Sequence, residues 1–127
     1  MKKIYTAGTF DCLHWGHINL LRRSKRLGDL LLVSLSTDEF NAIKGKKAYQ
    51  KWQERADNLM ATKYVDWIVK EESWEQKLED IKKFDIDVFV IGDDWKGKFD
   101  DLPCEVVYLP RTKNISSTQI RGLLNNI

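Results

Sequence analysis

The chain carries two histidines, and both lie in one short stretch, Gly8-Thr9-Phe10-Asp11-Cys12-Leu13-His14-Trp15-Gly16-His17. Imidazoles three residues apart have two chemistries open to them. One is metal ligation. A catalytic zinc normally takes three protein ligands. Here there is no third histidine, and the two cysteines, Cys12 and Cys104, are not spaced as a zinc site, so Asp11 would have to join. The other chemistry is anion contact. Two imidazoles at a helix start can point the same way, beside free backbone N–H groups and the positive end of the helix dipole. Gly16 lets a phosphate chain come close to the main chain. The anion reading is the stronger one.

Other segments carry matching chemistry. Arg111-Thr112-Lys113-Asn114-Ile115-Ser116-Ser117-Thr118 sets cations and hydroxyls ahead of a helix, which makes an anion cradle. Lys44 and Lys46 sit on a polar loop apt to close over anions. Asp93 and Asp94 end an apolar run and suit an amine, a hydroxyl or Mg²⁺. Trp74 and Trp95 read as packing residues able to wall a pocket. Neither Gly-x-Gly-x-x-Gly nor Gly-x-x-x-x-Gly-Lys-Ser/Thr occurs, which disfavours a dehydrogenase and a P-loop ATPase.

These residues need a frame. The chain has 127 residues, which fits a single domain, 1–127. Lysine plus arginine total 21 against 19 acidic residues, for a net charge of +2. That balance argues against nucleic acid or a membrane surface as partner. The longest apolar runs fall well short of the ~18 residues of a membrane span. Two cysteines without framework spacing fit a reduced, cytoplasmic protein.

Apolar runs predict strands over 4–7, 30–35, 65–69, 88–91 and 104–109. Period-3.6 patterns predict helices over 16–27, 49–62, 74–84 and 118–124. Gly28 serves as a C′ stop for the first helix, and Ser116 or Ser117 N-caps the last. Residues 36–40 read as a cap or turn and 41–47 as a basic loop. The alternation predicts an α/β, Rossmann-like, five-stranded parallel sheet with helices on both faces. Ligands of such sheets bind beyond the strands' carboxyl ends. Residues 9–17, 36–47, 92–95 and 111–118 all follow strand ends, so one pocket is expected to gather them.

Gly8-Thr9-Phe10-Asp11 with His14-x-Gly16-His17, and Arg111-Thr112-x-x-Ile115-Ser116-Ser117-Thr118, resemble the two signatures of the HxGH nucleotidylyltransferases. Residues 36–41, 64–66, 74–77, 85–90, 92–95 and 104–110 extend the likeness to the bacterial cytidylyltransferases acting on glycerol 3-phosphate. The resemblance implies direct in-line transfer of a cytidylyl group from CTP, with Mg²⁺, to a small phosphorylated alcohol. By resemblance, His14, His17, Lys46 and Asp11 are catalytic. Thr9, Phe10, Gly16, Arg111, Thr112, Ile115, Ser116, Ser117 and Thr118 join His14, His17 and Lys46 in holding the nucleotide. Lys44, Lys77, Trp74 and Asp94 face the acceptor; Asp11 orients the reacting phosphate or a metal, and Asp94 contacts substrate or Mg²⁺. The family tends to homodimers, which the aromatics near Trp15 and Trp67 would suit. The product would feed teichoic-acid or capsular polymers. Two positions depart from the pattern: Lys63 stands where the family has Arg, and Asn114 where it has Gly. The rivals are another phospho-alcohol, such as phosphoethanolamine or a polyol phosphate, an adenylyl donor, and a non-catalytic nucleotide-binding module.

Overall fold

A computed structural model describes residues 1–112 and 117–125. Five strands, β1 (Lys3–Gly8), β2 (Leu30–Ser36), β3 (Trp67–Glu71), β4 (Val88–Gly92) and β5 (Glu105–Leu109), form one sheet in the order β3-β2-β1-β4-β5. Every neighbouring pair is parallel. The helices are α1 (Trp15–Lys25), α2 (Asp38–Ile43), α3 (Trp52–Met60), α4 (Gln76–Lys83) and α5 (Ser117–Asn125), and Asp93–Trp95 form a single 3₁₀ turn. The chain runs outward from β1 to β3, then crosses back to β4. Strand order therefore reverses between β1 and β4, and a crevice opens beyond their carboxyl ends.

Side-chain alternation along the strands divides the core into two layers. Ile4, Leu31, Val33, Val88 and Val90 pack with Leu21 of α1 and with Ala56 and Leu59 of α3. Tyr5, Leu32, Phe89 and Ile91 pack on the other face with Ile81 of α4 and with Phe99 and Leu102 of the β4–β5 connection. Both faces are covered, which is why these strands read as unbroken apolar runs.

The expected architecture is present, and several boundaries differ for local reasons. The segment after β2 is a helix rather than a turn and loop. The Thr37 hydroxyl accepts the Phe40 N–H at 3.0 Å, and Asp38 and Glu39 occupy the first turn, so α2 forms although it buries little beyond Phe40 and Asn41. Helix α3 begins only at Trp52. The Asp11 carboxylate takes the N–H groups of Tyr49 and Gln50, and the Asp38 carboxylate takes that of Trp52. Strand β3 starts after Asp66, whose carboxylate accepts the Leu31 N–H at 2.8 Å and pins the strand's entry sideways.

Gly28 does not stop α1 as a left-handed cap. The helix ends at a right-handed C-cap, Arg26, and Gly28 is not among the residues with positive φ. A Cβ there would lie 2.8 Å from the Lys2 carbonyl oxygen and 2.8 Å from the Ile4 side chain. Glycine is needed because the chain returns to the sheet directly against β1. Among the described residues no helix is long and apolar enough to cross a membrane.

Candidate active site

The loop after β1 is held in an unusual shape. Phe10 and Cys12 have φ of 49° and 50°, the left-handed region that side chains with a Cβ avoid. Such residues persist only where their surroundings over-determine them. Here the surroundings do. Arg55 Nη1 donates to the Thr9 carbonyl at 2.9 Å. Asp11, 2 % exposed, accepts from the Tyr49 and Gln50 N–H groups at 2.8 and 3.0 Å. Gln50 Oε1 accepts the Cys12 N–H at 3.2 Å, and the Ser117 hydroxyl donates to the Asp11 carbonyl at 2.6 Å. Both carboxylate oxygens of Asp11 thus hold main-chain N–H groups of the 49–50 segment.

The loop delivers the histidine pair to the start of α1. His14 is the N-cap, and its Nδ1 accepts the Gly16 N–H at 3.0 Å. His17 reaches back, and its Nδ1 accepts the His14 N–H at 3.2 Å. This is a capping box built from two imidazoles. The rings stack with centroids 3.8 Å apart. With Nδ1 accepting in each ring, both histidines are neutral and carry their proton on Nε2. The network around Ser117 agrees. Its hydroxyl hydrogen goes to Asp11, leaving a lone pair facing His17 Nε2 at 3.4 Å. Burial and the neighbouring His14 press the His17 pKa down to about 3, although Asp11 acts to raise it. Burial and then Arg111 lower that of His14. Two neutral N–H donors therefore face an anion site at the positive end of the α1 dipole.

Both histidines line a cleft of about 590 Å³ over the sheet's reversal point, bounded by Gly8 and Gly92 at the ends of β1 and β4. The structure brings Thr9, Phe10, Gly16, Lys44, Lys46, Trp74, Lys77, Asp94, Arg111, Thr112, Ser117 and Thr118 to its walls. A second lobe adjoins it between Asp11, His17, Lys46 and Ser117. Ile115 and Ser116 lie outside the described residues, as does Asn114. Arg111 is exposed, and its Nη1 stands 3.6 Å from the Asp94 carboxylate across the mouth. A pair so exposed holds little energy and leaves both groups available. Lys63, the other departure, lies with its ammonium 5.6 Å over the Tyr64 ring.

The far end of the cleft holds lysines in an aromatic setting. Lys44 lies over the Phe40 ring at 4.6 Å, and Lys77 over Trp74 at 5.6 Å. Gly45, with φ of 74°, makes the turn that separates Lys44 from Lys46. The Lys46 N–H is held by the Asn41 carbonyl at 2.8 Å. Sequence reasoning passed over three residues that organise these groups. Glu71 binds Lys77, Arg55 binds the ends of β1 and β2, and Asn41 Oδ1 accepts the Thr9 hydroxyl at 3.0 Å. For Glu71 and Arg55 the signal was present: an ionisable residue closing an apolar strand or lying within a packed helix must have a partner.

The family model described as Cytidylyltransferase-like matches residues 5–123. The chain belongs to that family. Within it, the chain is 59 % identical to the glycerol-3-phosphate cytidylyltransferase of Bacillus subtilis over 95 % of both chains. It is 54 % identical to the protein of that name from Staphylococcus aureus, over 95 % of this chain and 93 % of that one. Among solved structures, the lipopolysaccharide core biosynthesis protein of Thermoplasma volcanium superposes with a TM-score of 0.73 at 26 % identity, covering 91 % of this chain and 99 % of that one. A cytidylyltransferase-like chain with an anion cleft at its switch point is thus built for nucleotidyl chemistry.

Proposed function

We propose that this chain transfers the cytidylyl group of CTP to sn-glycerol 3-phosphate, giving CDP-glycerol and pyrophosphate. The observation that carries this reading is the near end-to-end identity, 59 % and 54 %, with two glycerol-3-phosphate cytidylyltransferases. A phosphate oxygen of the acceptor attacks the α-phosphorus. The bond from that phosphorus to the bridging oxygen breaks, and its electrons leave with pyrophosphate. No covalent enzyme intermediate is required, so catalysis rests on positioning and on stabilising developing negative charge.

The Nε2–H donors of His14 and His17 are aimed to serve that charge. Neutral imidazoles suit the role, because they donate without needing a proton from solvent at working pH. Lys46, Arg111, Thr112, Ser117 and Thr118 hold the triphosphate, with Ile115 and Ser116 completing the segment. Thr9, Phe10 and Gly16 line the nucleotide side. Lys44 and Lys77 take the acceptor phosphate, with Trp74 and Asp94 beside them. Asp11 acts through the shape of the loop that bears the histidines.

Among the described residues no three His, Cys, Asp or Glu side chains gather as a metal cage. That donor set fits Mg²⁺ carried by substrate phosphates with at most one carboxylate, and Asp94 stands exposed at the mouth for it. Bound there, Mg²⁺ would neutralise triphosphate charge. The enzyme works in the cytoplasm, where CTP is found, as a homodimer, and its product feeds polymers built from glycerol phosphate.

The test is pyrophosphate release from CTP and sn-glycerol 3-phosphate, with and without Mg²⁺. Release that depends on both substrates and on Mg²⁺ is expected, with ATP a poor donor. Silence with this acceptor, alongside turnover of phosphoethanolamine or another polyol phosphate, would overturn the acceptor assignment. Nucleotide binding without turnover of any acceptor would overturn the enzyme assignment.

A further inference from the structure

A carboxylate inside a cleft built for phosphates calls for an explanation. Glu71 closes β3, is 1 % exposed, and is nonetheless part of the cleft wall. It would repel an incoming phosphate, so its place must be justified by what it holds. Oε2 lies 2.7 Å from Lys77 Nζ, the first turn of α4. Oε1 accepts the Ser36 hydroxyl at 2.8 Å. That hydroxyl has spent its one hydrogen, and its oxygen accepts from Lys44 Nζ at 2.9 Å. One carboxylate thus anchors two ammonium groups from separate elements, one directly and one through Ser36. The contacts account for one N–H of each lysine, and both lysines wall the cleft. Each ammonium has three donors.

We propose that Glu71 is a positioning residue of the acceptor subsite, holding Lys77 and, through Ser36, Lys44 aimed at the phosphate of the acceptor. The role rests on the cytidylyl-transfer reading and on these lysines taking that phosphate. Its necessity follows from the setting. A buried ammonium without a counter-charge gives up its proton. Lys44 is already pressed down to about 8, chiefly by burial and further by Lys46 of its own loop, Lys77 of α4 and Arg55 of α3. Glu71 is the group raising it against all of these. Aromatic faces at Phe40, Trp74 and Phe99 favour cations but do not fix their direction. The carboxylate does both.

The experiment compares the intact chain with Glu71→Gln, Ser36→Ala and Lys77→Met, varying CTP and sn-glycerol 3-phosphate separately from about pH 6 to 9. CTP binding is measured by calorimetry. Glu71→Gln keeps the shape and removes the charge. Its KM for the acceptor is expected to rise about tenfold or more, the size of one lost charge-assisted hydrogen bond. Its KM and Kd for CTP should stay within about twofold of the parent. The alkaline limb of kcat/KM for the acceptor, near pH 8 in the parent, should move to lower pH. Ser36→Ala, which cuts only the Lys44 arm, should move both quantities the same way by less, and it carries the test should Glu71→Gln not fold. An equal rise in both KM values, or an unmoved limb, overturns the positioning role. A parent enzyme that turns over while Lys77→Met leaves the acceptor KM unchanged overturns the lysine assignment and the role of Glu71 with it. A parent that releases no pyrophosphate overturns the transfer reading itself.

Discussion

Replacing His17 tests the site at its centre. Its Nδ1 is committed to the His14 N–H, which leaves Nε2–H as the donor toward the cleft. A glutamine side chain places its amide N–H close to the Nε2 position of histidine, whereas asparagine reaches only as far as Nδ1. His17→Gln should therefore keep more turnover than His17→Asn or His17→Ala. Loss of one donor aimed at developing charge costs about 10²–10³ in kcat, roughly 2.7–4 kcal/mol. That range is expected for Ala and Asn. The capping bond lost in His17→Ala is worth only about 1 kcal/mol of stability, so the variant should remain folded and bind CTP. The pH dependence carries a second sign. The folded pKa, about 3, lies below the ordinary 6.5, so the unfolded chain binds the proton first as pH falls. Stability from this group is whole above about pH 6.5 and is lost toward pH 3, by about 5 kcal/mol at most. Urea midpoints from pH 7 to 4 should fall steeply in the parent and less so in His17→Gln. Steady-state kinetics and urea melts check these outcomes. Asparagine outperforming glutamine, or an acid limb near pH 6 that His17→Gln abolishes, would refute the neutral-donor reasoning.

Arg55, fully buried, donates to the Thr9, Ser36 and Gln50 carbonyls and pairs with Asp38 at 2.7 Å. Arg55→Lys cannot span that fork, so stability by urea melt should drop about 3 kcal/mol and kcat should fall with it, while a change below about 1 kcal/mol would contradict its clamping role. Trp15 and Trp67 are 55 % and 57 % exposed, so light scattering should return the mass of two chains, and Trp67→Lys should shift it toward one; a parent that scatters as a single chain would sink the homodimer.

The fold was legible because its signals are redundant. Leu30 to Ser36 is a strand under any hydrophobic criterion, and its buried faces demand helices on both sides. The errors fall where one polar side chain outweighs periodicity. The pattern of residues 49–62 is helical throughout, yet Asp11, 38 residues upstream of Tyr49, takes the N–H groups that would begin the helix. Local pattern cannot register such a claim. Thr37 erred the other way: one hydroxyl cap made a helix of a segment too polar to announce itself. Gly28 was read as a conformational glycine and proved to be a spatial one, because the Lys2 carbonyl just ahead of β1 and the Ile4 side chain within it crowd the position.

The site divides along the same line. His14, His17, Lys44, Lys46, Asp94 and Arg111 were legible because they follow strand ends, and a parallel sheet gathers strand ends into one cleft, whereas family resemblance placed Trp74 and Lys77 at the acceptor. Glu71 and Arg55 were not, because their work is done on other protein groups. Each is nearly or wholly buried and ionisable, and each binds the ends of two elements that bear contacting residues. Arg55 joins the carbonyl after β1 to the carbonyl closing β2, and Glu71 joins α4 to β2 and so to Lys44. Removing either should therefore disturb geometry between segments rather than any single contact. That makes the separation of KM values between the two substrates, rather than turnover alone, the measurement that distinguishes these holders from the residues they hold.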